Sequence, residues 1–131
     1  MSKRKNMNAR GHTNRAMNDS TYTLRRRVLG HVYEAKKLTG GKMPRVDIRI
    51  TDCTRERVLG QARMGDCVVW IPASSVGRAD LRHIVFHELL HAVYGLGHCE
   101  GCPLMASVIR ETTREQQDER FRFWVDVIAK L

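Results

Sequence analysis

His87 and His91 stand four residues apart with Glu88 beside the first, in a stretch that reads HELLHAVYGLGHCEGCPLM from His87 to Met105. On a helix that spacing puts both imidazoles one above the other on one face, where a single metal ion can accept both nitrogens. Glu88 directly follows the first ligand, within reach of a water held by such an ion. A third histidine, His98, follows Gly95 and Gly97. The rest of the chain has to build a scaffold around this stretch.

Three neutral histidines on one zinc ion leave a fourth position for water, which is the arrangement of a catalytic site and not of a structural one. The zinc lowers the pKa of the water towards neutrality and polarises a carbonyl. Glu88 then has a role as the base that takes the water's proton and passes it to the leaving amine. A purely structural site would more often use thiolates and would have no use for that carboxylate. His83, one turn before His87, either extends the site or is an ordinary polar residue near the cleft wall. Tyr94 either hydrogen-bonds an oxyanion or packs as an aromatic.

The stretch resembles the metzincin clan of zinc peptidases, whose pattern is H-E-x-x-H-x-x-G-x-x-H followed by a Met-turn. Among these it is most similar to archaemetzincins, where a Cys directly follows the third His and another Cys stands near the Met. Here Cys99 follows His98, and the run CPLM spans Cys102 to Met105. The resemblance implies His87, His91 and His98 as zinc ligands, Glu88 as general base, Met105 beneath the metal, and a protein or peptide substrate. In one place the chain departs from the pattern, because the glycine and the third histidine each arrive one residue late. An extra helical residue turns the exit by about 100° and advances it about 1.5 Å. Gly95 and Gly97 can absorb this through φ > 0. If they do not, Glu111 or Glu115 supplies the third ligand, as in zincins with a glutamate ligand.

Two other functions compete. HELLHA also resembles SprT-type crosslink-repair proteases, which act on DNA-associated proteins; a zinc-containing binding module without turnover is the other. The cysteines raise a second metal. Cys99 and Cys102 form a C-x-x-C, half of a structural zinc site. Archaemetzincins hold a second zinc with thiolates, but their other pair lies downstream, whereas here Cys53 and Cys67 lie upstream at strand ends. Four free thiols are the alternative.

A chain of 131 residues is one domain by length. Its formal charge of +9 is unevenly spread. Residues 1–45 carry twelve Lys/Arg against Asp19 and Glu34, a balance of +10, while residues 46–131 carry eleven against twelve acids, a balance of −1. The basicity therefore belongs to the N-terminal third. Residues 1–20, polar and basic, read as a flexible tail that either solubilises the protein or meets nucleic acid or another polyanion. With no apolar run approaching a membrane span and no signal-like h-region, the chain reads as cytoplasmic and without a membrane partner.

The expected fold is α+β, a minimal zincin-like domain over residues 21–131 with a small mixed sheet packed on the active-site helix between N- and C-terminal helices. Thr23–Leu38 has apolar residues at helical spacing and stops at Gly40-Gly41. Strands are expected at Val46–Asp52, Gly60–Gly65 and Cys67–Ile71, with CVVWIPAS the candidate edge strand for holding an extended substrate. Asp80 N-caps a helix to about Tyr94, and Thr112 with Glu115 forms a capping box before the stripe Phe121, Trp124, Val125 and Ile128.

Overall fold

In the computed structural model, which describes residues 11–52 and 58–131, the chain is α+β as its sequence implies. The order is α1 (Gly11–Leu38), β1 (Asp47–Thr51), β2 (Gln61–Ala62), β3 (Val68–Pro72), α2 (Ala73–Val76), α3 (Leu81–Tyr94) and α4 (Arg114–Ala129). Among the described residues no helix is long and apolar enough to cross a membrane.

The first helix starts twelve residues before the apolar pattern does, at Gly11 instead of Thr23. Residues 11–20 are thus helical, where composition alone suggested a tail. The packed turns after Thr23 provide the costly nucleus, and extending a helix from a nucleus needs only a stretch free of breakers. Residues 1–10 lie outside the described part.

β3 is the central strand. It runs parallel to β1, with Ile48 opposite Val69 and Ile50 opposite Ile71, and antiparallel to β2, with Gln61 opposite Trp70. The expectation that CVVWIPAS forms an edge is therefore corrected, and the edges are β1 and β2. Its continuous apolar run is what a strand flanked on both sides requires. β2 shrinks to two residues because GQARMG offers only Ala62 as a small inward-facing apolar side chain.

The turn between β2 and β3 reaches the end of α3. Gly65 (φ +75°) and Cys67 (φ +58°) both adopt the left-handed region. Their amides donate to the carbonyls of His91 (3.1 Å) and Ala92 (2.9 Å). The Ala92 carbonyl gains a donor and that of His91 a second one beside Gly95 N–H, and the sheet is tied to the helix that carries the histidines.

Every residue of α3 from Leu81 to Ala92 is buried. Ile84, Val85, Leu89 and Ala92 enter the core and Val93 packs half-buried against it, with Phe86 against Phe121 of α4 at 5.0 Å between ring centroids. The polar residues of α3 are buried too, so each needs a partner or a task. Arg82 has partners: it donates to Glu34 of α1 and to Gln117, Asp118 and the Arg114 carbonyl of α4, and lies over the Phe86 ring. Burial raises the Glu34 pKa, but hydrogen bonds from His31 and Arg82 outweigh it and hold the carboxyl below the usual range. Arg82→Ala removes the cation between two carboxylates and is expected to lower stability by about 3 kcal/mol, read as a drop in the urea midpoint.

Both expected caps differ in detail. Asp80 occupies the N-cap position of α3, yet its carboxylate grips Arg78 (2.7 and 2.9 Å) and caps no amide. The capping box of α4 is Thr113 with Gln116, one residue after Thr112 and Glu115. The run TTREQ allows either register. Thr112 is drawn elsewhere, because its hydroxyl meets His83 Nδ1 at 2.7 Å and Gln117 Nε2 at 3.0 Å.

Candidate metal centre

The nitrogens of His87, His91 and His98 lie within 4.8 Å of one another, close enough to hold one ion. Among the described residues this is the one such cluster, so neither Glu111 nor Glu115 belongs to it. The late third histidine reaches the other two because α3 runs on to Tyr94 and then breaks at Gly95 in the left-handed conformation (φ +67°). Gly97 takes no positive φ, so a single glycine absorbs the extra residue.

Two backbone carbonyls orient the helical pair. His87 Nδ1 donates to Leu104 O at 2.8 Å, and His91 Nδ1 donates to Leu96 O at 2.5 Å. A carbonyl accepts and cannot donate, so each Nδ1 carries the proton and each Nε2 is a bare lone pair. The two Nε2 atoms face each other at 3.1 Å. Two lone pairs at that distance repel unless a cation lies between them. A tetrahedral zinc with bonds of about 2.0–2.1 Å separates two ligating nitrogens by about 3.3 Å. The donor set therefore fits a divalent ion bound through Nε2.

Burial makes a shared proton a poor substitute. It pushes the His87 pKa down to about 4 and lowers that of His91 as well. Burial acts in the opposite sense on Glu88, raising its carboxyl to about 7. Glu88 is 7% exposed and makes no hydrogen bond or ion pair among the described residues. Among the described residues, then, a buried carboxyl with a raised pKa shares one cavity with His87 and His98, which makes Glu88 a candidate for chemistry.

These shifts set the acid response of the metal-free chain. Unfolded histidine takes up its proton near pH 6.5, while folded His87 waits until about 4, so between those values the unfolded state binds more protons and stability falls as pH falls. Glu88 acts in the opposite direction between 4.5 and about 7. The lowered His91 and His83 add to the histidine side. A net loss of stability below pH 6.5 is expected in urea titrations of the metal-free protein.

The loop from Cys99 to Met105 adjoins the histidines. Cys99 N–H donates to Met105 O at 2.8 Å, closing the loop directly after His98, and Met105 is fully buried. The same loop presents the Leu104 carbonyl to His87. A cleft of about 660 Å³ is lined by His87, Glu88 and His98 together with Val58–Gln61, Arg78 and Ser107–Ile109. Gly60 leans against Glu88, where a Cβ would meet Glu88 Cγ at 3.0 Å and Oε2 at 3.2 Å.

His83 and Tyr94 fall outside this centre. His83 is buried with Nδ1 on Thr112 and its ring stacked 6.4 Å from that of His87. Tyr94 packs edge-on to Phe121 and lines a separate cavity between α1 and α4. Cys102 is buried with its sulfur accepting from Trp124 Nε1, and Cys67, Cys99 and Cys102 are free thiols that form no ligand cluster. Cys53 lies outside the described residues. No sequence motif marks the Leu96 and Leu104 carbonyls or Gly60, since the first two act through backbone atoms and the third through a missing side chain.

The chain matches no protein-family model, no curated protein and no solved structure.

Proposed function

We propose that this chain is a zinc-dependent endopeptidase of the zincin type. The observation that carries the reading is the pair of bare Nε2 atoms facing each other, completed by His98 and flanked by a buried carboxyl without a partner among the described residues. Three imidazoles suit zinc, and His87, His91 and His98 would hold it. When bound, zinc supplies a Lewis acid that polarises the scissile carbonyl and eases deprotonation of water. Glu88 takes the proton of the attacking water on its carboxylate and returns it to the leaving amine nitrogen. The Leu96 and Leu104 carbonyls fix the imidazole tautomers and keep both Nε2 atoms aimed at one point. Met105, fully buried and bonded through its carbonyl to the residue after His98, would be the Met-turn residue.

The cleft suits an extended peptide. β2 is an end strand of the sheet and follows directly on Gly60, which lies against Glu88, and Val58, Leu59, Val108 and Ile109 give the cleft apolar lining. Such a lining fits unfolded segments better than a folded substrate.

The experiment measures zinc content and cleavage of an unfolded protein in the same preparation. One zinc per chain and internal cleavage, lost with chelator and restored by zinc, are expected. A fully loaded chain that cleaves nothing would sink the enzyme reading and leave a metal-containing binding module. Cys102→Ser is expected to keep that one zinc, because Cys67, Cys99 and Cys102 do not cluster. Gly60→Ala is expected to keep it too but to lower kcat by about a hundredfold, since a displacement of about 1 Å at the base is enough for that loss.

A further inference from the structure

We propose that the outer face of α1 binds single-stranded nucleic acid, through a surface independent of the metal centre and of the peptidase reading. Tyr22, Arg26, Tyr33 and Lys37 are exposed and fall within about 60° of one another around the helix, with Lys36 and Arg27 flanking them. The two tyrosines are 61% and 62% exposed. Each has a cation over its ring: Arg26 over Tyr22 at 5.8 Å and Lys37 over Tyr33 at 5.2 Å.

From Thr21 onward no acid shares this face. Between Thr21 and Arg45 the sole acid is Glu34, and it turns inward onto Arg82 and Arg114. Among the described residues Arg26, Arg27, Lys36 and Lys37 enter no ion pair, whereas the arginines nearer the cleft do, Arg78 with Asp80 and Arg82 with Asp118. Unpaired cations along a helix make a counter-surface for a polyanion.

The tyrosines select among polyanions. A solvated helix face has no packing need for two large aromatics, but rings interleaved with cations can stack on bases while the cations meet phosphates. Eleven residues of helix separate Tyr22 from Tyr33 by about 16 Å, so one strand lying along α1 can reach both. A duplex keeps its bases inside and gives the rings nothing to stack on. An anionic membrane would want aliphatic side chains to insert, and the exposed positions of α1 from Thr21 to Lys37 carry none.

The test uses the full, zinc-loaded chain and a fluorescein-labelled 20-nucleotide single-stranded DNA, followed by anisotropy at several salt concentrations. Binding should weaken with salt with a log–log slope of about −3, the value for four phosphates on a single strand. Arg26→Glu with Lys37→Glu should weaken binding about tenfold or more and flatten the slope. Tyr22→Ala with Tyr33→Ala should weaken it at least about tenfold with the slope unchanged. Arg120→Glu with Arg122→Glu on α4 should match wild type, and unchanged zinc content and circular dichroism report folding for every variant. The proposal is overturned by an absence of salt-dependent binding at low salt, by tyrosine variants that bind like wild type, by a duplex bound as tightly as the single strand, or by anionic vesicles bound in its place.

Discussion

Glu88→Gln is expected to reduce peptide cleavage by about a thousandfold or more while leaving one zinc per chain. An amide is nearly isosteric with the carboxylate and enters the same space beside Gly60, but it cannot accept the proton of the attacking water. General acid–base catalysis by one positioned group accounts for about 10²–10⁴ in rate. The zinc stays because Glu88 contributes no atom to the three-histidine cluster. The same substitution is expected to make the metal-free chain more stable at pH 8, by up to about 3 kcal/mol, because a carboxyl whose pKa is raised from 4.5 to about 7 destabilises the fold when ionised. Loss of activity together with a gain in stability is the signature of a group kept for reaction. A Gln variant that still cleaves would remove Glu88 as the base. One that unfolds more readily than wild type would make it a structural residue.

That opposition between stability and function explains which parts of the site are legible from sequence. His87, Glu88 and His91 can be read because a helix converts their spacing directly into a shared face. His98 requires knowing where α3 ends, and the ambiguity of one residue is resolved only by the left-handed turn at Gly95, which local sequence permits without requiring it. The Leu96 and Leu104 carbonyls that fix the imidazoles cannot be read at all, since any residue supplies a carbonyl and only the fold decides where it points. The central position of β3 follows the same logic: an apolar run announces burial on both faces, but which strands flank it depends on a crossover outside the run. At α1 composition does not announce the first turns of the helix. Residues 11–20 lack the apolar residues that would announce a packed helix, yet backbone hydrogen bonds propagate through them from the packed turns that follow. At α4 the two candidate caps differ by one residue, and the choice falls to Thr113 because His83, far away in sequence, claims the hydroxyl of Thr112.

The second large effect is expected from the metal. At a free zinc concentration about a thousand times its Kd, binding to the folded state alone adds about 4 kcal/mol of stability, which for a domain of this size raises Tm by roughly 10–15 °C. Chelation should reverse the shift. The three histidines should then separate by role. His98 is exposed and no helix holds it, so His98→Ala should weaken zinc binding by about a hundredfold or more and leave the metal-free Tm close to wild type. His87→Ala removes a ligand and also leaves the buried Leu104 carbonyl without its donor, so it should lower the metal-free Tm as well. His91→Ala removes one of two lone pairs that repel across 3.1 Å in the metal-free chain, which offsets part of the packing it loses. The expected order of metal-free stability is therefore His98→Ala above His91→Ala above His87→Ala, with zinc-induced stabilisation reduced in all three. Thermal melts with zinc and with chelator read both quantities at once. A wild-type Tm indifferent to chelator, or a zinc shift that survives all three substitutions together, would place the ion elsewhere and remove the centre on which the peptidase reading stands.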